Sequence, residues 1–202
     1  MHTGSPKRPL WRTFLRAAEW IAGVLALLYV ALVISRIPAA AEANKTADAV
    51  RAIRAQRLTM RDAAGERLPP APDPAEANAT IGGVDANANG IRDDVELAIF
   101  KRYPDDAKLR AAALQYAMGL QSELLNVSNQ ETWVAVSQQE ERALHCLLEW
   151  LPQNRISTLF SQRNSIRNMI LNTPERKKKY DATQKFETSF SLLDADGCDL
   201  KM

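Results

Sequence analysis

The sequence predicts an all-α fold: an N-terminal signal or anchor helix, then a small bundle of about four to five helices. Three observations carry this. From residue 93 onward apolar side chains recur at helical spacing, while no segment alternates apolar and polar residues with β-branched enrichment. Helix start signals fall between the periodic stretches. The N-terminus sets basic residues ahead of an unbroken apolar run.

In that leader, Lys7, Arg8, Arg12 and Arg16 precede apolar residues 20–34, and Ser35-Arg36-Ile37-Pro38 opens onto Ala39-Ala40-Ala41-Glu42-Ala43. The order is a basic region, an apolar region and a candidate cleavage site. The apolar run is shorter than the roughly 20 residues that cross hydrocarbon comfortably, which fits a cleaved signal. Ala17, Ala18 and residues 37–41 lengthen it if Glu19 and Arg36 snorkel, which fits a retained anchor. Both alternatives stay open, and both send the C-terminal part across the membrane, because the positive charge lies almost wholly before the run. The expected location is therefore outside the cytoplasm: anchored in an inner membrane with the domain in the periplasm, or soluble there after cleavage. No Cys follows the run to carry a bacterial lipid anchor.

The division expected is 1–43 for the leader, 44–84 for a helical stalk and Pro-rich linker, and 85–202 for a helical domain. Residues 44–64 mix charge and Ala, with Val50, Ile53, Leu58 and Met60 too loosely spaced for a strand, and end at Gly65. Pro69, Pro70, Pro72 and Pro74 then favour extended chain. Beyond the loop at 85–96, Pro104-Asp105-Asp106 starts a helix whose apolar face is Leu109, Ala113, Tyr116, Leu120 and Leu124. A helix over 130–151 presents Trp133, Val136, Ala143, Leu147 and Leu151 and stops at Pro152. Another over 156–171 presents Leu159, Phe160, Ile166 and Ile170. Thr173-Pro174 is an N-cap with Pro at the first helical position, so a last helix runs through Tyr180 and Phe186 toward Phe190.

A formal charge of +2 with 25% charged residues points neither to a polyelectrolyte partner nor to wholesale disorder. Cys146 and Cys198 are the two cysteines, and in an exported protein the default is a disulfide between them.

Residues 85–96 read Asp85-Ala86-Asn87-Ala88-Asn89-Gly90-Ile91-Arg92-Asp93-Asp94-Val95-Glu96. Oxygen side chains at positions 1, 3 and 5 converge, Gly at 6 permits a sharp turn, and an acid at 12 closes a shell with both oxygens. The segment resembles an EF-hand calcium loop, and still more a thrombospondin type-3 repeat loop with its D-G-I-x-D centre. The resemblance covers these residues alone. It implies Ca2+ held by Asp85, Asn87, Asn89, the Ile91 carbonyl, Asp93 and Glu96. EF-hands carry an apolar residue at position 8, where Arg92 stands, so the resemblance implies a lone loop with one exiting helix. With two neutral Asn ligands the affinity expected is on the order of 0.1 to 1 mM, a structural site. The alternative is an ordinary turn capping the helix from Asp93 or Asp94.

Other features are weaker. Asp194-Ala195-Asp196-Gly197 brings Gly too early for a second loop and reads as a turn presenting Cys198. His145 has no second histidine outside the leader for a metal site or triad. Within 152–185, Arg155, Arg163, Arg167, Arg176, Lys177, Lys178, Lys179 and Lys185 outnumber Glu175 and Asp181, giving either a solvated face or a surface for anionic lipid or an envelope protein. No aromatics interleave this run, so nucleic acid is not expected. Glu140-Glu141 diverge on a helix, and no convergent acid pair can be named. The function expected is a non-enzymatic binding or structural module with a structural calcium loop; the alternatives are a carboxylate-based envelope hydrolase and a calcium-responsive adaptor.

Overall fold

The computed structural model describes residues 10–151, 155–191 and 197–201. Lys7 and Arg8 of the leader, Pro152 and Asp194-Ala195-Asp196 lie outside the described residues. The chain divides into two compact units, Met1–Lys45 and Thr46–Met202. The described residues contain helices and no strand, the all-helical architecture expected.

Helix α1 (Leu10–Ala55) holds the described residues of the first unit and the opening residues of the second. Within the first unit it holds a stretch with mean hydropathy 2.2, none of it buried, long and apolar enough to cross a membrane. Trp20, Leu27, Leu28, Tyr29 and Ile34 stand exposed along it. A soluble surface does not sustain so long an apolar patch; such a helix is compatible with a signal or a membrane anchor.

The second unit holds the remaining helices: α2 (Met60–Ala64), α3 (Pro74–Ala79), α4 (Asp93–Arg102), α5 (Ala107–Asn126), α6 (Gln130–Trp150), α7 (Arg155–Ile170) and α8 (Pro174–Thr183), then a 3-10 turn at Gln184–Phe186. The last helix is expected to reach Phe190 and instead stops at Thr183. Phe186 and Phe190 leave it to cover a small second core of Ile53, Val127, Trp133, Ala135 and Val136, with Phe190 edge-on to Trp133 at 5.8 Å.

Residues 44–84 are expected as a solvated stalk and linker. From Thr46 onward they are instead part of the helical unit: Ile53, Leu58, Ala63 and Ala77 are all buried. The reason is local. Thr59 and Asp62 make a reciprocal capping box that starts α2, and Gly65, at φ +77°, ends it in the left-handed conformation. The chain therefore turns back and lays α2 on α5.

Helix α5 is the axle, packing against α2, α4, α6, α7 and α8. Asp106 caps it, accepting the Leu109 amide at 2.9 Å. The spacing predicts one apolar face; every residue from Ala111 to Leu124 is buried, including Gln115, Gln121 and Glu123. Neighbours on all sides override the one-face pattern, because small residues at 111–113, 117 and 119 let them approach.

The C-terminal strap is fastened at several points. Cys146 and Cys198 form the disulfide, with Sγ–Sγ 2.07 Å across a sequence separation of 52. Asp199, whose side chain is buried, accepts from Leu58 N and Arg142 Nη2, each at 2.9 Å. Gln115 of α5 donates to Gly197 O and accepts from Asp199 N.

Candidate calcium loop and its surroundings

Loop 85–96 joins the short α3 region to α4, and its curvature comes from two left-handed residues, Ala88 at φ +53° and Gly90 at φ +84°. Asp85 at its start folds over the turn: Oδ1 accepts Asn89 N at 3.1 Å and Oδ2 accepts Gly90 N at 2.9 Å. Asn87 Oδ1 accepts Asn89 N, and Asn89 Oδ1 accepts Ile91 N. Asp93 reaches back to Ala86 N at 3.0 Å, and its own amide donates to Val84 O at 2.8 Å, closing the neck.

At the far end, α4 carries Glu96 into the concavity. Asn87 Nδ2 donates to Glu96 Oε2 and Asn89 Nδ2 to Glu96 Oε1, each at 3.0 Å. Positions 3, 5 and 12 thus meet at both oxygens of one carboxylate. Glu96 is buried, and that burial, opposed by the two amides and aided by the charges of Asp62 and Asp93, pushes its carboxyl up to about 7. Burial also raises Asp93, against the Ala86 amide and with help from Asp85 and Asp94.

Position 7 sends the Ile91 side chain wholly into the main core beside Val95 and Ile99. Position 8, Arg92, is 0% exposed. It pairs with Asp94 and donates to the carbonyls of Met169 (2.8 Å) and Ile170 (3.2 Å), capping the C-terminus of α7. The helix-capping alternative also changes form: the N-cap of α4 is Arg92, without a side-chain cap bond, and neither Asp93 nor Asp94 fills that role.

The basic run disperses. Arg176 is 0% exposed and donates to the carbonyls of Ala77, Thr80 and Ile81. Arg163 donates to the Tyr116 hydroxyl and Arg167 lies 4.2 Å over the Tyr180 ring. Lys177, Lys178 and Lys185 remain exposed. His145 is an exposed helix residue.

Among the described residues no three His, Cys, Asp or Glu side chains cluster closely enough to hold a metal by themselves. Asp85, Asp93 and Glu96 are not gathered into such a group; the side chains that meet are Asn87, Asn89 and Glu96.

One feature escapes sequence reading. Glu140 has an acid neighbour, Glu123 of α5, across the α5–α6 interface. The signal available was Gly119 and Glu123 four residues apart, two positions on one helix face.

The fold defines an all-helical protein with a long apolar N-terminal helix. No protein-family model, curated protein or solved structure matches the chain.

Proposed function

We propose that this chain is a membrane-anchored, exported helical protein in which loop 85–96 binds Ca2+ structurally, and that its 46–202 unit is a non-enzymatic binding or structural module of a cell envelope. The observation that carries the calcium reading is the convergence of Asn87 and Asn89 on the two oxygens of buried Glu96. A buried carboxylate held only by neutral amides, near Asp62 and Asp93, is costly when ionised. A divalent cation offsets that cost. Both carboxamides then turn their oxygens inward, and Asp85, Asp93 and the Ile91 carbonyl supply further oxygens. Ile91 and Arg92 fasten this loop to the core and to α7, so an ion here braces the junction of α3, α4 and α7.

Helix α1 supports the anchor. It runs as one helix through Ser35 and Arg36 to Ile37 and the alanines, so with Arg36 snorkelling the segment reaches the roughly 20 residues that span hydrocarbon. Asymmetric basic flanks orient the rest outward. Exposed Lys177, Lys178 and Lys185 leave a reduced basic surface for anionic lipid or an envelope protein.

The test is thermal unfolding of the full chain in detergent, in EGTA and in calcium. With calcium about tenfold above Kd, the expected stabilisation is about 1 to 2 kcal/mol, and Asp85→Ala and Glu96→Gln abolish it. No calcium response in the parent refutes the site. A change in helical content with calcium, beyond a shift in midpoint, favours the calcium-responsive adaptor instead.

A further inference from the structure

Glu123 and Glu140 meet in the packed face between α5 and α6. Gly119 makes the space: a Cβ there would stand 3.0 Å from Glu140 Cγ, and Glu123 follows one turn later on the same face. Glu123 is 4% exposed, and its Oε1 accepts from Thr183 Oγ1 and Gln184 Nε2, each at 2.7 Å, where α8 passes into the 3-10 turn. Glu140 Oε1 is shielded from solvent, and no N–H or hydroxyl donor reaches it. Its near neighbour is the other carboxyl.

Two ionised carboxylates have no hydrogen between them. A buried acceptor without a donor, pressed against a second carboxylate, is costly twice: once for the missing hydrogen bond and once for the repulsion. A single proton removes both costs. It leaves only one group ionised and supplies the missing donor.

The groups facing the pair come from every element packed on it. Tyr116 lies on α5, Arg163 and Arg167 on α7, and Tyr180 on α8. Both arginines favour ionised carboxyls. Both are already engaged, Arg163 with the Tyr116 hydroxyl at 3.3 Å and Arg167 over the Tyr180 ring, and neither makes an ion pair with either acid among the described contacts. Burial of Glu140 together with the charge of Glu123 outweighs them, so Glu140 is held well above the ordinary carboxyl range.

We propose that Glu123 and Glu140 form a proton-binding site, in which one proton shared between the two carboxyls closes the α5–α6 face beneath the α8 turn, and its loss loosens that face. The ligand is the proton, and the consequence is a domain stabilised by mild acidity. Glu123 is buried and Glu140 half-buried, with Oε1 of Glu140 closed to solvent. The site is independent of the calcium loop.

The sign follows from linkage. Raised folded pKa values mean that the folded chain holds a proton which the unfolded chain releases above its ordinary carboxyl value. The stabilisation is full below about pH 4.5 and disappears as pH rises through the folded value. Urea unfolding of the full chain in detergent, in a Glu96→Gln background that removes that residue's own titration, reads this directly. Relative to Glu123/Glu140, the Glu140→Gln variant should flatten the rise of the unfolding constant with pH by roughly tenfold per pH unit, one proton's worth. Equal pH slopes in the two proteins overturn the proposal. Should the variant fail to fold, infrared spectroscopy of the background protein decides: a protonated-carboxyl band at neutral pH that shifts on deuteration supports a shared proton, and its absence refutes one.

Discussion

Gly83, just before the loop, and Gly90, within it, both stand at positive φ, +64° and +84°. Only at Gly83 is the space also closed by parts that cannot yield: a Cβ there would lie 2.2 Å from Arg92 Cδ and 2.9 Å from Ala77 O. At Gly90 the obstacle is the far end of the Gln56 side chain, which can swing away. Gly83→Ala should therefore cost more than Gly90→Ala, by urea midpoint about 2 kcal/mol or more from left-handed strain and displacement of Arg92. Arg92 repays that close approach by capping α7. Arg92→Leu strands two carbonyls and the Asp94 charge; since Asp94 is partly exposed, the expected loss is about 3 kcal/mol, at the low end for a broken buried pair. An unchanged midpoint would show that α7 does not depend on this cap. At the residue scale, local spacing brings Asn87 and Asn89 of the loop to Glu96 on the first turn of α4.

At the scale of elements, the strap at 197–201 shows how a short segment without regular structure is held. The disulfide joins it to α6, Gln115 joins it to α5, and Asp199 joins it to Leu58 and Arg142. Gly197 permits the approach, since a Cβ there would meet His145 Cβ at 2.8 Å. By loop-closure entropy, reducing the disulfide costs about 4 kcal/mol. Denaturation with and without reductant should show this as a lower midpoint. The Asp199 contacts predict that Asp199→Asn weakens the strap even when oxidised, because Arg142 and Arg57 lose their shared anion. Helix starts were legible here because caps are local: Asp106, Asn129 and Thr173 each accept an amide within their own first turn. The true end of the last helix was not, because burying Phe186 and Phe190 against Trp133 is a nonlocal gain.

For the whole molecule, an anchored chain stays in the membrane fraction through alkaline carbonate washing and keeps its leader by mass spectrometry. Release into the soluble fraction with a new N-terminus near Ala41–Ala43 would instead establish a cleaved signal. Export predicts an oxidised Cys146–Cys198 pair in either case.

The sequence by itself determined the helical class, the apolar leader, the cysteine pairing and the composition of the loop. Each rests on periodicity, composition or short spacing, quantities carried by neighbouring residues. Tertiary structure decided what depends on distant ones. It gathered residues 46–84 into the domain, buried α5 on every side, drew Arg163, Arg167 and Arg176 out of an apparent basic surface, and set Glu123 beside Glu140. A charge's surroundings are written by whichever helices pack against it, and 47 or 95 residues of separation, as for Arg163 and Arg176 from their partners, leave no periodic trace of that choice.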